Sequence, residues 1–151
     1  MVVANDILIP ELARLLADKK EVRFTPSGIS MRPFIEGEKD SVVLAHLARE
    51  PRRGDILLAQ VQAADRKTYV LHRVLRVEKN GGEQMYILQG DGNLQGEEKC
   101  AKEDIIGVVK RIENPSGKRK ICSSAFLWQK MFPCRKWLLK IYRHTWLKWC
   151  Y

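Results

Sequence analysis

The chain has 151 residues, of which 45% are hydrophobic, and a formal net charge of +9. This length suffices for one domain with a buried core, and the hydrophobic content excludes an intrinsically disordered chain. The N-terminus lacks the basic start and apolar run of a secretory signal, and no stretch is apolar for long enough to predict a membrane-spanning helix. We therefore expect a protein that is either cytoplasmic or bound peripherally to a membrane.

The positive charge is concentrated at the C-terminal end. Residues 1–114 contain all 18 acidic residues and 18 of the 27 lysines and arginines, so their formal charges cancel. Residues 115–151 contain the other nine cations and no carboxylate. We predict a neutral domain, residues 1–113, followed by a basic tail, residues 114–151, whose first part (NPSGKRK, 114–120) has the composition of a linker.

The chain is predicted to begin with a short helix. In ILIPELARLLAD (7–18), Leu12, Leu15 and Leu16 form one apolar stripe at helical spacing. Pro10 is tolerated because it falls in the first turn, where its missing N–H costs no hydrogen bond.

Short strand-like segments follow the helix, with turn residues between them. GDGNLQGEE (90–98) is too polar and Gly-rich for a regular element, so we predict a loop there. Closely spaced short strands indicate a mostly β, antiparallel domain. The predicted strands are EVRFT (21–25), DSVVLAHL (40–47), ILLAQVQA (56–63), TYVLHRVLRVE (68–78), MYILQ (85–89) and DIIGVVKRIE (104–113).

The tail is predicted to be helical and amphipathic. Residues 121–151 contain all four tryptophans. At helical spacing Trp137 and Ile141 fall on an apolar side, and Lys136 and Lys140 fall opposite. This composition is typical of a helix in the lipid headgroup layer, so we expect a peripheral membrane contact. Packing of the tryptophans on the β domain is the alternative, and nucleic acid is the least favoured partner.

Four motifs in the β region carry residues capable of chemistry. They are Gly28-Ile29-Ser30-Met31-Arg32-Pro33, Gly54-Asp55-Ile56, His72-Arg73-Val74 and Gly90-Asp91-Gly92-Asn93. Taken alone, Ser30 would be a turn residue and His72 a core histidine. In this order, over about residues 22–112, they resemble the type I signal peptidase family of serine proteases. The likeness is to the branch of the endoplasmic reticulum, archaea and spore-forming bacteria, which carries G-x-S-M-x-P, G-D-I/V, H-R-V and G-D-x-N.

The resemblance implies a peptidase with a partly open, barrel-like core that removes leader segments from peptides or preproteins without a cofactor or metal. Ser30 would be the nucleophile, and His72 the general base at the position where the main bacterial branch and LexA-type repressors have Lys. The chemistry agrees, because a serine hydroxyl needs a positioned base and an imidazole can return the proton to the leaving amine.

A carboxylate would be needed to orient the imidazole and stabilise its charged form. Asp91 in the GDGN motif is the first choice, and Glu97 is the alternative. The Gly-x-Ser turn is able to direct backbone N–H groups, including that of Ser30, at a developing oxyanion. The predicted oxyanion and substrate-binding residues are Gly28, Ile29 and Met31.

Two other classes of function stay open at this point. A regulatory or nucleic-acid-associated protein of LexA type would need a DNA-binding domain, but no helix-turn-helix precedes Phe24. The second class is an inactive domain that binds peptides without cleaving them. A contact of about 3 Å between the Ser30 hydroxyl and the His72 imidazole is what peptidase chemistry requires.

Overall fold

A computed structural model describes residues 5–63, 66–93 and 95–120, with Cys134, Trp137, Leu138, Lys140 and Ile141 of the tail. Within these residues one α-helix precedes eight β-strands. The elements are α1 (Asn5–Ala17), β1 (Val22–Phe24), β2 (Ser41–Ala45), β3 (Ile56–Ala63), β4 (Arg66–Asn80), β5 (Glu83–Gln89), β6 (Glu98–Cys100), a 3-10 turn (Lys102–Asp104), β7 (Ile105–Glu113) and β8 (Arg119–Lys120).

The strands form one antiparallel sheet in the order β1-β2-β7-β3-β4-β5-β6, and β8 pairs with one end of β7. The sheet is open, because no pairing among the described residues joins β6 to β1. The predicted mostly β, antiparallel fold with a short N-terminal helix is therefore confirmed.

Two strands lie where the sequence predicted none. β6 begins at Glu98, inside the segment predicted to be a loop, and β8 lies in the predicted linker. Both are too short for a periodic pattern to indicate them. β6 forms because β5 offers it an edge, with Leu88 opposite Glu98 and Tyr86 opposite Cys100. Through β8 the sheet extends to Lys120, past the predicted domain boundary at residue 113.

The sheet buries side chains on both faces. Leu57 and Ala59 of β3 point into a cluster on one face, while Leu58 between them packs with α1 on the other, as the alternation of strand side chains requires. From α1, Leu12 and Leu16 are buried in this second cluster. The helix thus covers one face of the sheet, and side chains of β5 and β6 join the cluster on the other face.

A third cluster fixes the turn that carries Ser30. It consists of Met31 and Ile35 from the turn together with Val42, Ile56 and Ile112 from three different strands. All five are buried. The residue after Ser30 is therefore anchored in the core, and this anchoring positions the exposed side of the turn.

Most of the predicted tail helix lies outside the described residues. The five tail residues that are described are helical, and Trp137 and Ile141 are exposed. In the part of the chain that the structure describes, no helix combines the length and hydrophobicity needed to cross a bilayer.

Candidate active site

The fold brings Ser30 and His72 into contact. The Ser30 Oγ atom lies 3.1 Å from Nε2 of His72. Ser30 occupies a turn closed by the bond from the N–H of Arg32 to the carbonyl of Ile29 (3.2 Å), whereas His72 lies within β4. The imidazole is only 5% exposed, so its orientation is fixed by its surroundings. The contact required for peptidase chemistry is present.

The carboxylate beside the imidazole belongs to Glu98. Its Oε2 atom lies 3.0 Å from Nδ1 of His72, so the imidazole bridges Glu98 and Ser30. In this arrangement Nδ1–H donates to the carboxylate, and Nε2 is left to accept the proton of the Ser30 hydroxyl. The Glu98 side chain is 24% exposed, so this end of the site is open to water.

Sequence reasoning missed Glu98 because it assigned the whole 90–98 segment to a loop. A usable signal was present in Glu-Lys-Cys (98–100), since the first and third residues of an extended stretch share a face. Cys100 is buried. If the apolar Cys100 is assigned to the core side of the sheet, Glu98 is assigned to the same side.

Asp91, the first choice for the third member, does not contact His72, and the prediction is corrected accordingly. Its buried carboxylate accepts from Arg73 through Nε (2.8 Å) and Nη2 (2.7 Å). Arg73 Nη1 also donates to the carbonyl of Gly54 (2.8 Å). Arg73 thus holds both oxygens of Asp91 in a buried ion pair. Removing the carboxylate would leave the charge of the guanidinium buried without a partner, which is strongly destabilising.

Glu97, the predicted alternative, points away from the imidazole as well. Arg76 donates to both of its oxygens, with distances of 3.0 and 2.8 Å. These hydrogen bonds lower the pKa of the Glu97 carboxyl. Successive side chains of an extended chain project to opposite sides, so Glu97 and Glu98 cannot both face His72.

Two glycines of the GDGN motif allow the loop to pass against the Ser30 turn. A Cβ atom on Gly90 would lie 2.5 Å from the Ser30 carbonyl oxygen and 3.0 Å from His72 Nε2. The N–H of Gly92 donates to the same carbonyl at 2.7 Å. The sequence pattern placed both glycines in the motif without assigning them a role. In the structure, Gly90 and Gly92 leave the space that the Ser30 turn and the imidazole occupy.

The turn also leaves backbone donors beside the hydroxyl. Among the described residues, the N–H groups of Ser30 and Met31 have no backbone or side-chain acceptor. Gly28 adopts a φ of +90°, a backbone conformation that favours glycine. Gly37 packs directly against it, because a Cβ atom on Gly37 would lie only 2.0 Å from the Gly28 carbonyl oxygen. Gly28 and Met31 lie on either side of Ser30 in this turn, and their part in binding an oxyanion stays a prediction.

A cleft of about 130 Å³ opens beside Ser30. Residues 69–72 of β4 line one part of it, and residues 26–28 line another. Met31 and Ile35 add apolar surface. Ile29, which was predicted to bind substrate, does not line this cleft and is 59% exposed.

β4 has an unpaired edge along this cleft. β3 pairs with the first half of β4, whereas β5 pairs only from Arg73 onward. No strand within the described ranges covers the second edge of β4 between Arg66 and His72. The N–H and C=O groups of this edge are therefore available to another extended chain.

The hydrogen-bond pattern identifies which residues face this open edge. The N–H of Val74 donates to the carbonyl of Asp55 at 2.8 Å, on the side of β3. Because residues of an antiparallel strand alternate between its two edges, His72 also bonds toward β3. Tyr69 and Leu71 consequently direct their N–H and C=O groups toward the open edge.

No other strong nucleophile lies near the imidazole in the described chain. The thiol of Cys100 is on the same strand as Glu98 but is buried, and burial raises its pKa to about 12. It therefore stays protonated at neutral pH, and a protonated thiol is a poor nucleophile.

Comparison with protein-family models, curated proteins and solved structures finds no match to this chain. The likeness to signal peptidases is therefore a resemblance carried by the four motifs.

Proposed function

We propose that the protein is a serine endopeptidase of signal peptidase type, with Ser30 as nucleophile, His72 as general base and Glu98 as the residue that orients the imidazole. The observation that carries this proposal is the continuous series of contacts from Ser30 Oγ to His72 Nε2 (3.1 Å) and from His72 Nδ1 to Glu98 (3.0 Å). Both distances are within hydrogen-bond reach, as proton transfer requires.

In the proposed reaction, Ser30 Oγ attacks the carbonyl carbon of the scissile bond while its proton passes to His72 Nε2. The C–N bond then breaks, and the imidazolium gives that proton to the leaving amine. Water then attacks the carbonyl carbon of the resulting ester while His72 Nε2 takes its proton. The C–O bond to Ser30 breaks, Oγ regains a proton from the imidazolium, and the acyl part leaves as a carboxylic acid. Glu98 stabilises the imidazolium without taking its proton, and the N–H groups of Ser30 and Met31 stabilise the oxyanion.

The proposed substrate is an extended leader segment. Such a peptide would add to the open edge of β4 through backbone bonds to Tyr69 and Leu71, which give affinity without selecting a sequence. The 130 Å³ cleft favours a small side chain beside the scissile bond. This agrees with the Ala-x-Ala preference that the family resemblance implies. The open sheet is compatible with the partly open, barrel-like core of that family.

The proposal is tested with a small-residue leader peptide and a serine-directed acylating probe. The wild-type chain should cleave the peptide and take up the probe, whereas Ser30→Ala should do neither and His72→Ala should label far more slowly. Cleavage that survives Ser30→Ala would overturn the proposal. Peptide binding without cleavage by the wild-type chain would indicate the inactive binding module instead.

We further propose that the basic tail holds the enzyme at an anionic membrane surface. Residues 115–151 carry nine cations and no carboxylate, and the described tail residues Trp137 and Ile141 are exposed. Each cation near such a surface contributes about 1 kcal/mol. Full-length protein should bind vesicles rich in anionic lipid, and replacing Lys136, Lys140 and Arg143 by Gln should weaken this binding. Tighter binding to duplex DNA than to vesicles at matched salt would favour a nucleic-acid partner.

A further inference from the structure

We propose that a row of exposed and half-buried charges on the outer face of the sheet selects Glu98, and not its neighbour Glu97, as the carboxylate that faces His72. The row consists of Arg76, Glu78, Glu97 and Lys99, and we call it the charge row. Its structural role is independent of the reaction, while its effect on catalysis rests on the proposed function.

The strand β6 presents its residues to two different faces. Cys100 is buried in the cluster that contains Val74, whereas Lys99 is exposed. Glu98 shares the face of Cys100, two residues away, and His72 shares the face of Val74. The contact between Glu98 and His72 therefore requires the orientation of β6 in which Glu98 and Cys100 point to the face of His72.

A β-bulge places Arg76 on the outer face. The pairing of β4 with β5 shifts by one residue between Val74 and Arg76, so Leu75 is an extra residue. As a result, Val74 and Val77 pack in the same buried cluster although they are three residues apart, and Arg76 between them is exposed. Without the bulge, strict alternation would turn Arg76 toward the face of Val74.

From this outer position Arg76 binds the residue that precedes Glu98. Its Nη1 and Nη2 atoms donate to the two oxygens of Glu97 at 3.0 and 2.8 Å, and its Nε donates to Glu78 at 2.9 Å. Lys99 Nζ lies 3.9 Å from the other oxygen of Glu78. The charge row thus pairs two cations with two carboxylates, and it holds the residues on both sides of Glu98 outward.

The selection matters because backbone pairing with β5 fixes only three residues of β6, and because the adjacent Glu97 and Glu98 carry the same functional group. A slip of one residue would turn Glu97 toward His72 and expose Cys100. The burial of Cys100 and the charge row oppose this slip from opposite faces of the sheet.

The experiment compares the full-length chain with the variant Arg76→Gln/Lys99→Gln. We expect the proton resonance of His72 Nδ1–H, shifted downfield by its bond to Glu98, to weaken or broaden. We also expect kcat for the leader peptide to fall about two- to fivefold with KM unchanged, in keeping with the strength of exposed ion pairs. The matched control is Arg23→Gln/Glu113→Gln, which removes the pair (2.9 Å) between β1 and β7 together with the bond from Arg111 to Glu113 (2.8 Å), and it should leave both readouts unchanged.

A second arm excludes a general loss of structure. Glu98→Gln should lower kcat less in the Arg76→Gln/Lys99→Gln background than in the wild-type background, because a released Glu97 is able to replace part of the lost carboxylate. Equal effects in both backgrounds, or an unchanged His72 resonance in the Arg76→Gln/Lys99→Gln variant, would overturn the role of the charge row. The resonance needs no substrate, so a wild-type chain without peptidase activity would overturn the proposed function alone.

Discussion

His72 and Arg73 are consecutive residues of β4, and each binds a carboxylate, but on opposite faces of the sheet. The His72–Glu98 pair borders the cleft, and Glu98 is partly exposed. The Arg73–Asp91 pair is buried, and the guanidinium lies 5.5 Å from the ring centre of Phe34 in the turn after Ser30. The comparison shows how one short motif supplies both a group that can exchange protons and a fixed ion pair that holds the surrounding loops.

The two pairs should respond oppositely to substitution. Changes at the His72 side should remove activity and leave the fold, whereas changes at the Arg73 side should first remove stability.

Ser30→Ala and His72→Ala are expected to lower kcat for a leader peptide by about 10⁴-fold or more, because each removes a group that takes part in bond making or proton transfer. For Ser30→Ala the free energy of unfolding in urea should change by less than about 1 kcal/mol. A variant that is inactive only because it is unfolded would not support a purely chemical role for the His72 side. We therefore measure kcat and the free energy of unfolding on the same preparation.

Glu98→Gln is expected to lower kcat by about 10²- to 10⁴-fold, because a neutral amide neither stabilises the imidazolium nor holds the same tautomer. Glu97→Gln is the matched control, since it alters the adjacent residue by the same atoms, and it should change kcat by about twofold at most. Equal losses of kcat in Glu98→Gln and Glu97→Gln would contradict the assignment of Glu98 as the carboxylate that acts on His72.

Asp91→Ala is expected to reduce the free energy of unfolding by about 3–5 kcal/mol, because it leaves the guanidinium of Arg73 buried without its partner. The measurement is urea denaturation followed by fluorescence. Asp55→Ala removes a partly exposed ion pair with Arg49 (2.8 Å) and a backbone bond from the N–H of Arg52 (2.8 Å), and because no buried charge is left unpaired it should cost less. A stable Asp91→Ala protein without activity would return Asp91 to the catalytic group.

Gly90→Ala is expected to cost about 1–3 kcal/mol of stability, because its Cβ would lie 2.5 Å from the Ser30 carbonyl oxygen. It should also lower kcat, since the same atom would displace the turn or the imidazole. Gly96→Ala is the contrasting variant, because its φ of +89° strains the backbone without a neighbouring atom within 4 Å. Activity should survive Gly96→Ala better than Gly90→Ala.

Much of the fold could be predicted from local sequence. The predicted strand ILLAQVQA (56–63) has the observed bounds of β3, and the apolar stripe that includes Leu12 and Leu16 indicated α1. Short elements without a periodic signal could not be predicted in this way. β6 is the important case, because its three residues become a strand only when the edge of β5 is available.

Gly28, Ser30 and His72, the candidate turn, nucleophile and base, could be identified from the sequence alone, because they stand in motifs that can be read locally. Which carboxylate meets the imidazole depends on the tertiary fold. Three acidic residues, Asp91, Glu97 and Glu98, lie within one short stretch of the chain. Their partners come from positions on β4 fixed by strand pairing and a bulge, so Arg73 binds the first, Arg76 the second and His72 the third.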